Sequence, residues 1–286
     1  MVSRLMVSTT TLLKRMVSTT TASDSTTPVL LIRGLTREQR HWGRFLPKLN
    51  NAVANPVHCL DFAGCGALFQ RHSPASISAL RQSIRLQWQA FGYQGPVHLV
   101  AMSLGGMLAA DWALKYPAEV ASLQLINSSV RNLSPFYQRL RWQNYPQLLQ
   151  LLCSPLALRE QRIIELTTAR ASRRPQLVKQ WVKWQQQRPV SLANAVRQLW
   201  AASQFNLTGT PSCPVTLYNS LGDKLVSPQC SVALADYWQA KLITHPWAGH
   251  DIALDDPDWL VTQLVQALDP AIADAAFRRY KPGETG

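Results

Sequence analysis

Residues 97–117 read VHLVAMSLGGMLAADWALKYP. An apolar run, Val97–Met102 with only His98 interrupting it, ends on a lone serine, Ser103, between Ala101 and the pair Gly105-Gly106. An alanine-rich segment follows and stops at Lys115-Tyr116-Pro117. The passage reads strand, turn, helix. Small residues are needed where strand and helix backbones crowd into a sharp turn. Such a turn lifts the serine hydroxyl clear of the sheet, over a helix N-terminus. The bland alternative for Ser103 is an ordinary N-cap.

The same rhythm recurs on both sides. Upstream, Val29–Ile32 is a compact apolar run ending at Arg33-Gly34, with Trp42, Phe45 and Leu49 following at helical spacing. A second strand starts at Val57 in VHCLDFAGCG, and Ile77, Leu80, Ile84 and Trp88 recur at three and four through a helix over 76–91. Downstream, Val120–Asn127 is a fourth strand. The alternation then stops, and residues 131–206 show helical patterns broken at Pro135, Pro146, Pro155, Pro175 and Pro189. It resumes with a strand at Pro214–Asn219, a helix over Cys230–Ala240, a strand at Lys241–His245 and a helix from near Asp258. Alternation of this kind predicts an α/β fold, a mostly parallel sheet covered by helices on both faces. The expected organisation is a flexible leader at 1–27, a core formed by 28–130 and 207–286, and an all-helical insertion at 131–206. The leader contains MVSTTT twice, at Met6–Thr11 and Met16–Thr21.

At 286 residues and 47% hydrophobic, the chain can bury one large core. The net charge of +13 is concentrated: residues 131–206 hold twelve Lys or Arg against only Glu160 and Glu165. This is one basic region rather than a uniformly basic nucleic-acid binder, and no recognition motif accompanies it. Five scattered cysteines, never in C-x-x-C, disfavour a disulfide framework or a structural zinc site and fit a reducing, cytoplasmic setting. No apolar run is long enough for a transmembrane helix, and Leu12-Leu13 is too short for a secretory signal.

Ligands of parallel α/β proteins sit outside the carboxyl ends of the strands, so the groups placed there are the candidates. Ser103 follows the third strand; Asp223, in NSLGDKLVSP, follows the fifth; His250, in THPWAGHDIALDDP, follows the last. His250 would take the proton of Ser103 and pass it to a leaving group, and Asp223 would hold its second ring nitrogen. Two rivals stand beside them. Asp61 is an acid after the second strand, and His245 ends the last strand, where a helper or structural role suits it better.

The order serine, acid, histidine and these segments resemble the α/β-hydrolase superfamily over roughly residues 28–275. LDFAGCG resembles the loop after its second strand, NSLGDKLVSP its acid segment and PWAGHDIALDDP its histidine segment. The elbow, A-x-S-x-G here, is one glycine short of G-x-S-x-G. The resemblance implies an oxyanion hole from the amides of Leu104 and Leu35, with Gly34 retained in the turn. Arg33 stands where the family commonly has histidine, and it suits either an ion pair or an anionic part of the substrate. The insertion then corresponds to a cap, with most of Trp142, Trp181, Trp184 and Trp200 in its core and one or two of them lining the pocket. The activity implied is serine carboxylic-ester hydrolysis through an acyl-enzyme, on a small-molecule ester or acyl substrate, with no cofactor and no metal. Thioesterase or amidase activity, and a noncatalytic binding module on the same fold, are the alternatives. A basic cap would suit an acidic carrier protein or an anionic lipid surface.

Overall fold

The computed structural model describes residues 26–170 and 175–268. The expected leader, to residue 25, lies outside the described residues. Six strands are present among them: β1 (Val29–Ile32), β2 (Val57–Leu60), β3 (Val97–Met102), β4 (Val120–Ile126), β5 (Val215–Ser220) and β6 (Lys241–His245). All pair in parallel, in the order β2-β1-β3-β4-β5-β6. The chain runs from β1 outward to β2, then returns to the other side of β1 as β3. This reversal opens a crevice at the carboxyl ends of β1 and β3. Arg33-Gly34-Leu35 and Ser103 lie at those two ends.

The middle of the sheet is apolar on both faces, so β1 and β3 read as near-continuous hydrophobic runs rather than alternating ones. Val29 and Leu31 face one side, in a core with Phe45 and Leu49 of α1 (Phe45–Ala52) and Leu260 and Leu264 of α11 (Pro257–Leu268). Leu30 and Ile32 face the other. They join Leu80 and Ile84 of α2 (Ile77–Gln89), Leu108 of α3 (Leu104–Lys115) and Leu234 of α9 (Gln229–Trp238). Each such side chain, fully buried, stabilises the fold by about 1.5–3 kcal/mol relative to exposure.

Between β4 and β5 the described residues form helices only. They are α4 (Phe136–Arg139), α5 (Tyr145–Leu152), α6 (Leu156–Thr167), α7 (Pro175–Gln187) and α8 (Leu192–Gln204). The prolines mark helix starts: Pro135 and Pro155 occupy N-cap positions, Pro146 lies in the first turn of α5, and Pro175 opens α7. The segment is tied to the β5 loop, where Arg141 donates to the Asp223 carbonyl at 2.8 Å and Asn144 to that of Lys224 at 2.6 Å. One expectation is corrected. Trp181 is buried, but Trp142 and Trp200 are 61% and 59% exposed, so most of the four tryptophans are not core. Helical spacing places an aromatic on a face, but which face is covered depends on what docks there. No helix among the described residues is long and apolar enough to cross a membrane.

Candidate active site

Ser103 sits between β3 and α3 at φ 55° and ψ −118°, a backbone conformation that non-glycine residues rarely adopt. Its surroundings explain the small residues. A Cβ on Gly105 would lie 2.5 Å from the Arg33 carbonyl and 2.7 Å from that of Ile32. One on Gly106 would lie 2.6 Å from Ser128 Oγ. Ala101, paired with Ile32 and Leu125, is fully buried. Alanine therefore serves at that position, whereas the crowding that forbids a side chain falls on Gly105 and Gly106. The turn is held by Ser103 N–H donating to the Ile126 carbonyl at 2.9 Å and by Ser128 Oγ donating to the Ser103 carbonyl at 3.0 Å.

His250 and Asp223 meet across β5 and β6. His250 Nδ1 lies 2.7 Å from Asp223 Oδ2, with both side chains buried. Asp223 Oδ1 accepts the amides of Leu225 at 2.8 Å and Val226 at 2.9 Å, which fixes the carboxylate. The arrangement puts a proton on Nδ1 and leaves Nε2 as an acceptor. Asp61 lies elsewhere: it accepts from the Gln39 amide at 2.7 Å and the Ala67 amide at 3.4 Å, capping the turn after β2. Burial pushes its carboxyl above the usual range. His245 accepts from the Trp247 and Ala248 amides at Nδ1 and faces Asp256 at Nε2, a turn-holding role.

One support was not legible in the sequence, and a second was legible only as one of two readings of Arg33. Asn127, at φ 45°, donates to the His250 carbonyl at 2.8 Å and to Ser220 Oγ at 3.0 Å, tying the β4 and β5 ends to the histidine loop. The polar triplet Asn127-Ser128-Ser129 closing an apolar strand is the signal that could have flagged it. Arg33 takes the ion-pair arrangement, its Nη1 and Nη2 donating to Asp251 at 3.3 and 2.5 Å. The residue after His250 is thereby fastened to the end of β1.

Ser103, His250, Arg33, Gly34 and Leu35 line one cavity of about 340 Å³, whose other walls come mostly from α5 to α8. Those walls are mainly apolar, with Leu151, Ile163, Trp181 and Val196 among them. Asp223 is behind His250, outside the cavity lining. Leu104 is the first residue of α3, so its amide has no partner within the helix. Cys59 and Cys65 are not rival nucleophiles: burial pushes both thiols up to about 12. Among the described residues no group of three or more His, Cys, Asp or Glu is placed to hold a metal ion.

Next to the cavity, His41 is buried against Trp181 and Trp184. Burial, then Arg37 and Arg33, hold it well below the ordinary histidine value. The unfolded chain therefore takes up this proton first, and the fold loses stability as pH falls below about 6.5. Above that pH the contribution is fully retained. The loss deepens as pH falls further, until the folded protein also takes up the proton. Glu38 and Asp61, whose carboxyls burial raises, act in the opposite direction nearer their own range. Thermal melts at about pH 7.5 and 5.5 should show a smaller fall for His41→Gln than for the wild type. Equal falls would exclude His41 as the source.

A serine on a strand-to-helix turn, facing a shared cavity with a histidine held by an acid beyond a parallel sheet, is the architecture of the α/β hydrolases. A family model described as "Alpha/beta hydrolase family" matches residues 29–263, and the chain belongs to that family. Solved structures with this fold include an enol-lactonase from Burkholderia xenovorans, at 14% identity and TM-score 0.70, covering 85% of this chain and 91% of that one. A meta-cleavage product hydrolase from Pseudomonas fluorescens is 18% identical at TM-score 0.70, covering 86% and 91%. A thermophilic esterase from Thermogutta terrifontis is 19% identical at TM-score 0.64, covering 85% and 89%. No curated protein matches the sequence significantly.

Proposed function

We propose that the protein is a serine hydrolase that cleaves a carboxylic ester through an acyl-enzyme, with Ser103, His250 and Asp223 as its catalytic triad. The observation that carries this reading is the His250–Asp223 contact of 2.7 Å beside the strained Ser103 turn, with Ser103 and His250 facing one apolar cavity. In this reading Ser103 Oγ attacks the ester carbonyl as His250 Nε2 removes its proton. The amides of Leu104 and Leu35 receive the developing oxyanion. His250 then protonates the leaving alcohol, and the acyl group remains on Ser103. Water, deprotonated by His250, attacks that acyl group; the acid leaves and Ser103 regains its proton. Asp223 stabilises the imidazolium in both halves. Residues 131–206 act as the cap, and their apolar side chains hold the acyl chain.

A fluorophosphonate probe tests the nucleophile directly. It should label the folded chain on Ser103, found by peptide mass spectrometry, and p-nitrophenyl esters should be hydrolysed with burst kinetics. Thioester and anilide arms of the same panel place the leaving group. Absence of labelling together with absence of turnover would favour a binding module.

A further inference from the structure

The loop that follows β1 is fastened to a helix of the insertion. Gly34 to Arg37 form a turn, closed by the Arg37 amide donating to the Gly34 carbonyl at 3.2 Å. This turn runs directly past the nucleophile: a Cβ on Gly34 would lie 3.0 Å from Ser103 Cβ and 3.6 Å from its Oγ. Leu35 and Thr36 are the central residues, and both line the cavity. Thr36 has φ 57°. A positive φ at the third position of a turn favours glycine, and a β-branched residue there is strained. A buried side chain holds it so. The Thr36 amide donates to Gln198 Oε1 at 2.9 Å. Gln198 is fully buried on α8, and its Nε2 donates to Ser73 Oγ at 2.9 Å and Cys65 Sγ at 3.2 Å. Ser73 Oγ in turn donates to the Ala63 carbonyl at 2.6 Å, so it accepts from Nε2 and the carboxamide keeps its oxygen on Thr36.

The N–H that Gln198 holds belongs to the peptide between Leu35 and Thr36. Without that bond, threonine would relax toward negative φ, and this peptide would rotate as it does between turn types. The adjoining Leu35 amide would shift with it. That amide is the proposed receiver of the oxyanion, where small displacements cost rate. We propose that Gln198 is a positioning residue for catalysis: its carboxamide oxygen holds the strained turn and so keeps the Leu35 amide aimed beside Ser103. This rests on the ester-hydrolase reading. Another side of α8 presents Leu192, Val196 and Leu199 to the cavity. One helix of the insertion therefore walls the substrate cavity and also sets a catalytic donor of the core.

The test uses p-nitrophenyl hexanoate and the full chain. Gln198→Met keeps the size of the side chain but cannot accept the Thr36 N–H. It should lower kcat by about tenfold or more and move KM by less than about threefold. Gln198→Asn stays polar for Ser73 but is one methylene too short for Thr36; it is assayed beside Gln198→Met, with the same expectation, in case the latter does not fold. Ser73→Ala removes the partner on the Nε2 side and leaves the Thr36 bond. It should lower the melting temperature yet keep kcat within about threefold. Glycine adopts positive φ without strain. In a Thr36→Gly background, Gln198→Met should therefore cost kcat less than about threefold. A purely structural Gln198 would give no such rescue. The rate of fluorophosphonate labelling of Ser103 is measured on the same proteins, because phosphonylation uses the same donors without an ester; it should fall in parallel with kcat. Absence of ester turnover overturns the esterase reading, and the labelling rates then decide this one. Unchanged kcat in folded Gln198→Met or Gln198→Asn, an equal loss in the Thr36→Gly background, or an equal loss in Ser73→Ala would overturn the proposal. So would labelling rates that do not change, or a wild type that is not labelled.

Discussion

Ser103→Ala is expected to lower kcat/KM for an ester by roughly four orders of magnitude or more while leaving the protein folded. The hydroxyl is the only group at the β3–α3 turn that could attack a carbonyl, and Cys59 and Cys65 are held as thiols by burial. The fold should survive because the side chain makes no contribution to capping α3. Backbone strain gives an internal control. A non-glycine residue at φ 55° and ψ −118° costs about 1–3 kcal/mol. Alanine keeps that cost and glycine relieves it. Ser103→Gly should therefore be as inactive as Ser103→Ala but melt at a higher temperature. Retention of more than a few per cent of wild-type kcat/KM by purified Ser103→Ala, free of host esterases, would reject Ser103 as nucleophile. An unchanged melting temperature in Ser103→Gly would reject the strain.

Asp223→Asn should reduce kcat by roughly two to four orders of magnitude, with a smaller effect on KM. The geometry gives the mechanism. Two backbone amides, those of Leu225 and Val226, already donate to Oδ1. An asparagine must keep its carbonyl oxygen there, which turns its NH₂ toward His250 Nδ1. That amide donates a proton where the carboxylate accepted one. The imidazole is forced into the tautomer with hydrogen on Nε2, which cannot take the proton of Ser103. Structure and burial are nearly unchanged, so the loss should appear in turnover rather than in folding. Asp61→Asn is the comparison, because its partners are Gln39 and Ala67 rather than a histidine. If a folded Asp61→Asn protein loses more kcat than Asp223→Asn, the acid has been wrongly assigned.

All six strands lie within a residue or two of the runs that mark them in the sequence, and the signal is cleanest for β1 and β3, central strands buried on both faces and so nearly continuously apolar. The Ser103 turn was legible for a related reason. Gly105 and Gly106 stand where any side chain would strike backbone or Ser128, and steric exclusion of that kind leaves a mark at the residue itself. Asp223 and His250 could be nominated from their places after strands, but the choice over Asp61 and His245 could not be closed. It rests on which acid lies 2.7 Å from His250 Nδ1, a distance set by how β5 and β6 pair.

Arg33 shows the same limit more sharply: its partner Asp251 is 218 residues away. Nothing local to either residue announces the other. Asn127 reaches His250 only because β4 and β5 are neighbours in the sheet. Arg37 meets Glu160 and Trp181 only where α6 and α7 pack against the loop that follows β1. Periodicity and sterics act within a few residues and so are written in the chain by itself. Pair contacts between distant elements depend on strand order and helix docking, and those appear only when the chain is folded.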